Sequence, residues 1–98
     1  MAYFSPAPSR YRGDEILAVS SAAVTLANVP SGANFVIIRV VSNDVRMRGN
    51  DQVPTAGAGQ LLKAGEIFEW PGKPEELSML RFIRVSADAT LDVAYYRV

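Results

Sequence analysis

The sequence contains neither cysteine nor histidine. Without thiols there is no disulfide, no thiolate metal site and no cysteine nucleophile; without imidazole there is no histidine base and no histidine ligand. Small secreted domains often depend on disulfides, so their absence points to folding in a reducing cytoplasm. Lysine is scarce too: Lys63 and Lys73 are its only occurrences, and every other cationic side chain is arginine. Arginine suits fixed, bidentate ion pairs at interfaces better than loose solvation. Charge of either sign is not in excess, since 10 Lys and Arg balance 10 Asp and Glu. No global basic field draws in nucleic acid or an anionic membrane, and neither partner is expected. No apolar run approaches the roughly 20 residues of a membrane-spanning helix. The opening MAYFSPAPSRYRG lacks the charged start and apolar block of a signal peptide.

What remains is a chain of 98 residues with 49% hydrophobic and 20% charged side chains, enough for one globular domain with a modest core. Its centre is Asn34 to Arg48. Phe35, Val36, Ile37, Ile38, Val40 and Val41 form a run dense in β-branched and aromatic residues, which fits a strand buried on most of both faces. Ser42-Asn43-Asp44 breaks the run. Val45, Arg46, Met47 and Arg48 then alternate, giving one apolar face and one arginine face. Together the two runs read as a central hairpin.

Around this pair, Met1 to Gly13 reads as an extended N-terminal arm, with Pro6 and Pro8 among small residues; it is either a frayed terminus or an arm whose Tyr3, Phe4 and Tyr11 anchor it on a neighbouring subunit. Residues 14–98 form the domain. Glu15–Ser20 and Ala22–Ala27 read as short strands, and Asn28 to Gly32 as a turn. Gly49 to Gly59 is a long Gly/Pro loop of the kind that contacts something. Leu61-Leu62 reads as an edge strand, Lys63 to Glu66 as a hairpin-type turn, and Ile67 to Trp70 as a strand. One helical turn at Glu75–Ser78 precedes two closing strands, Met79–Ser86 and Ala89–Val98. About eight short strands at even spacing, with no long helix, define an all-β antiparallel sandwich or jelly roll.

Several chemical readings compete with structural ones. Glu66 with Glu69 and Glu75 with Glu76 are carboxylate pairs, but they sit at strand edges and in a polar turn rather than across a cleft. Asn43, Asp44, Asn50 and Asp51 flank one strand and offer oxygens to Ca²⁺, although Asn and Asp are also ordinary turn residues. Gly57-Ala58-Gly59 is a fragment of a phosphate-cradling motif without its strand and helix, and reads as a flexible loop. Arg12-Gly13-Asp14 spells an integrin-type tripeptide at the junction of arm and domain. Trp70 with Tyr95 and Tyr96 would serve either as a sugar-stacking platform or as core and interface anchors. The strand arginines Arg39, Arg46, Arg48, Arg81 and Arg84 are expected to make ion pairs between subunits. Neither a cofactor nor a metal is expected.

From Val24 to Tyr96 the order of segments resembles small all-β virion proteins of tailed bacteriophages and prophages. The resemblance rests on Val45-Arg46-Met47-Arg48, Pro54-Thr55-Ala56 with Gly59, Leu62-Lys63-Ala64-Gly65-Glu66, Leu80-Arg81-Phe82-Ile83-Arg84, and Ala89-Thr90-Leu91-Asp92-Val93 with Tyr95-Tyr96. It implies a non-enzymatic structural part of a phage particle, made in the host cytoplasm and located in the virion. The expected role is a capsid decoration or cement subunit that bridges capsomers, with a tail, neck or fibre-attachment protein as the main alternative. A carbohydrate-binding module is the alternative of another class. Expected partners are the major capsid protein or other virion proteins, with self-association as a dimer or trimer. The interface candidates are Tyr3, Phe4, Arg10, Tyr11, Arg12, Arg46, Arg48, Asp51, Val53, Pro54 and Trp70.

Overall fold

Side-chain alternation along the strands sorts the chain into two sheets, as seen in a computed structural model that describes residues 10–98. The strands are β1 (Arg10–Val19), β2 (Val24–Thr25), β3 (Phe35–Ser42), β4 (Val45–Arg48), β5 (Gln60–Leu62), β6 (Ile67–Pro71), β7 (Arg81–Arg84) and β8 (Ala89–Arg97); a single short helix, α1 (Pro74–Leu77), precedes β7. Two four-stranded sheets form, one in the order β1-β8-β3-β6 and the other β2-β7-β4-β5. All strand pairs are antiparallel, joining β1 to β8, β2 to β7, β3 to β6 and β4 to β5. The chain is thus one long antiparallel ribbon wound around a core, with β3–β8 and β4–β7 closing the two sheets. That winding is the jelly roll, which resolves the choice between sandwich topologies that the strand count left open.

The same topology corrects the expected central hairpin. β3 and β4 lie in different sheets, so Ser42-Asn43-Asp44 carries the chain across the sandwich instead of turning it back within a sheet. Lys63 to Glu66 likewise crosses from β5 to β6 and is not a hairpin turn between paired strands. Tight turns with a left-handed residue, Asn43 at φ 59° and Gly65 at φ 90°, serve both roles, which is why sequence alone does not tell them apart. The expected helical turn at Glu75–Ser78 falls one residue earlier; Glu76 Oε1 accepts the Lys73 N–H at 2.8 Å and fixes its start.

Inward positions follow strict period two. Val36, Ile38 and Val40 of β3 face Val45 and Met47 of β4, with Leu17, Val19, Leu62, Phe82, Leu91, Val93 and Tyr95 completing the core from the other strands. Leu77 of α1 and Leu80 close one end. No polar or charged residue is buried among the described residues.

Crossovers gather at one end of the roll and are stitched together: the Arg84 N–H reaches Ser20 O, the Val85 N–H reaches Asp44 O, Ala64 N–H reaches Asp44 Oδ1, and Asn43 Nδ2 donates to Asp88 O. The other end holds residues 26–34, 49–59 and 72–80, the start of β1 and the end of β8. Arg10 to Gly13, expected in the arm, belong to β1 and pair with β8, with a bulge between Tyr11 and Gly13. Tyr3 and Phe4 lie outside the described residues.

Candidate interaction surfaces

The long loop is a built object, not the flexible segment its glycines suggest. Gly49 to Gln52 form a turn closed by Gln52 N–H to Gly49 O at 3.1 Å, with Asn50 at φ 55° and Asp51 at φ 62°. Two successive left-handed residues make this a type I′ turn, where Asn and Asp are favoured. Thr55 and Ala58 exchange both backbone hydrogen bonds, at 2.9 and 3.1 Å. Arg46 then clamps the loop from β4, its guanidinium donating to Ala56 O at 3.2 Å and Gly59 O at 2.9 Å. Pro54 is buried beneath it and Val53 is exposed at its tip. Asp51 pairs with Arg81 at 2.7 Å.

These contacts give several of the strand arginines roles within the chain. Arg46 holds its own loop, Arg81 is paired to Asp51, and Arg84 is paired to Asp88 at 2.5 Å, so all three have partners within the chain. Arg48, Arg10 and Arg12 are exposed. The tripeptide Arg12-Gly13-Asp14 runs within a paired strand and is not displayed at a loop tip; Asp14 accepts the Tyr11 hydroxyl, a bond that raises the Tyr11 phenol above its usual range.

The sugar platform is not formed. Tyr95 is fully buried at 0% exposure, while Tyr96 points to the opposite face and meets Tyr11 edge to face with centroids 5.9 Å apart. The Tyr95 hydroxyl donates to Glu15 inside the β1 edge, and burial with that hydrogen bond pushes the phenol pKa well up. Glu15 also accepts the Ala27 and Asn28 N–H groups at 3.2 and 2.9 Å, so it ties β1, β8 and the 26–34 loop together. Trp70 stacks on Phe68 at 5.7 Å against the core, with its edge in a cleft of about 480 Å³ beside Gly49, Asn50, Glu76 and Met79.

The Ca²⁺ reading fails on placement. Asn43 and Asp44 lie at the crossover end and Asn50 and Asp51 at the other, separated by the whole of β4, so no cation can touch both pairs. Glu66 and Glu76 each accept a backbone N–H three residues earlier, so one carboxylate of each pair is a turn or cap group. Among the described residues no three acidic side chains converge on one point.

The outer face of the β1-β8-β3-β6 sheet is a surface that residue types alone do not mark. Ile16, Asp92, Arg39 and Ile67 form one outward row across all four strands. Asp14, Ala94, Ile37 and Glu69 form the next. Ile16 is 75% exposed and Ile67 48%, and together with Ile37 and Ala94 they line an open groove of about 420 Å³. The signal was present in the sequence. Ile16 is out of phase with Leu17 and Val19, Ile67 is out of phase with Phe68 and Trp70, and β3 is apolar on both faces.

The chain matches no family model, no curated protein and no solved structure.

Proposed function

We propose that this protein is a non-enzymatic structural subunit of a bacteriophage particle, acting as a decoration or cement protein on the capsid exterior. The resemblance of Val24 to Tyr96 to small phage virion proteins motivates the reading. The observation that carries it is the shared location of two attachment elements: the root of the N-terminal segment at Arg10 and the 49–59 loop both leave the same end of the roll. The opposite end is closed by its own hydrogen bonds. A rigid wedge that grips with one end suits the bridging of capsomers. Binding only the assembled shell stabilises it by mass action, and repetition over many copies lets each contact be weak.

Quantitative mass spectrometry of purified particles tests this. On the order of hundreds of copies per particle is the expected result for capsid decoration, while a count near a small multiple of three or six points to the tail or neck. Absence from the particle contradicts both.

A further inference from the structure

The outward row Ile16–Asp92–Arg39–Ile67 is chemically symmetric about the midline of its sheet, which falls between β8 and β3. Isoleucine stands at both edges and an opposite-charge pair in the middle. Consider a two-fold axis lying along that midline, parallel to the strands. It lays β8 over the second copy's β3 and β1 over its β6. Asp92 then meets Arg39 of the other copy, Arg39 meets Asp92, and each Ile16 meets an Ile67. In the next row Ala94 meets Ile37. We infer that this face is an isologous dimer interface, occupied by a second copy of this chain in that register.

Three observations favour a second copy over an unrelated occupant. Arg39 and Asp92 are exposed and directly opposite each other in the ladder, yet neither side chain carries an ion pair or hydrogen bond among the described residues. Each therefore has its full donor or acceptor capacity free, and the two-fold supplies both partners at once. The apolar groups lie on both sides of the charged pair, so they close over it and exclude water. The charges also balance across the centre, which a self-complementary surface requires.

The face is small. Four strands about 4.8 Å apart, with about six residues rising about 3.3 Å each, span roughly 19 by 20 Å. That is below the roughly 800 Å² per partner of a standard interface, so the dimer is expected to be reversible and concentration-dependent. One feature of the register opposes it: Asp14 faces Glu69 of the other copy at the rim, a like-charge contact softened by solvent.

That opposition makes the register testable. In sedimentation equilibrium of the full chain, the wild type should shift from monomer to dimer as concentration rises. Arg39→Asp and Asp92→Arg should each weaken dimerisation about tenfold or more, because the axis applies every like-charge contact twice. The double reversal, Arg39→Asp with Asp92→Arg, should restore it. Glu69→Lys should strengthen it, since Asp14 would then face a lysine. All three positions are exposed, and circular dichroism with thermal melts confirms folding; should a reversal at the central pair misfold, Glu69→Lys still tests the register alone. A monomer at every concentration overturns the inference. So does a dimer indifferent to the single reversals, a double reversal that fails to restore association, or a Glu69→Lys variant that dimerises no better than wild type.

Discussion

The outer faces of the two sheets differ in how much of their chemistry the chain itself uses. On the β2-β7-β4-β5 sheet, Arg46 and Arg81 point outward and look like a basic docking stripe. Both are already engaged, Arg46 with the carbonyls of Ala56 and Gly59 and Arg81 with Asp51. On the β1-β8-β3-β6 sheet, Arg39 and Asp92 sit side by side without partners among the described residues, flanked by exposed isoleucines. An arginine on a strand face is therefore not by itself free to bind a partner.

At the core the two sheets should behave alike. Ile38→Ala in one sheet and Phe82→Ala in the other remove fully buried side chains. Each should cost about 2–5 kcal/mol in chemical denaturation. A large imbalance between them would mean that the sheets differ inside as well as outside.

Next comes the internal duty of the arginine face. Arg46→Ala leaves two loop carbonyls without their donor and should cost about 1–3 kcal/mol. Amide exchange should accelerate at Thr55 and Ala58, whereas Arg48→Ala, which removes an exposed side chain, should change stability by less than about 0.5 kcal/mol. Gly59→Ala should destabilise the same loop independently, because its φ is +125° and a Cβ would stand 3.0 Å from Met47 O.

Tyr95 sharpens the picture at the β1 edge. Tyr95→Phe removes the hydrogen bond to Glu15 and should cost about 1–2 kcal/mol, moderated by the two backbone N–H groups that Glu15 keeps. Its raised pKa also sets a pH dependence. Below about pH 10 the phenol is protonated in both folded and unfolded chains, and the contribution is complete. Above that, the unfolded chain releases the proton while the folded one holds it, so wild-type stability should fall as pH rises. Tyr95→Phe should flatten that decline in alkaline denaturation curves.

The smallest effect on the monomer belongs to the apolar face. Ile16→Ser with Ile67→Ser should alter unfolding free energy by no more than about 0.5 kcal/mol per site, while abolishing self-association. Surface residues that matter for assembly and not for folding are the signature of an interface.

Strand positions were legible because side chains alternate: Val36, Ile38 and Val40 against Phe35, Ile37 and Arg39, or Leu91, Val93 and Tyr95 against Asp92 and Ala94. Sheet membership was not. A crossover at Ser42-Asn43-Asp44 uses the same left-handed turn residue as a hairpin, and its partner strand is chosen by packing dozens of residues away. Arg10 to Gly13 looked like arm because Pro6, Pro8 and Gly13 are strand breakers in isolation. The bulge accommodates Gly13, and pairing with β8 supplies what propensity lacks. Of the interface candidates, Arg46, Asp51 and Pro54 stand out in the sequence by residue type and by location on a loop or strand face. Their hydrogen bonds and burial also make them supports of the loop. The out-of-phase Ile16 and Ile67 were visible, but only the register placed them in one row.

The most direct test is amide NMR of the wild-type chain over a wide range of concentration. Shifts are expected only at Ile16, Ile37, Arg39, Ile67, Asp92, Ala94 and their strand neighbours, with Arg46, Arg48, Leu61 and Ile83 on the opposite sheet unmoved. Shifts concentrated on the arginine face, or none on either face, would contradict the dimer interface.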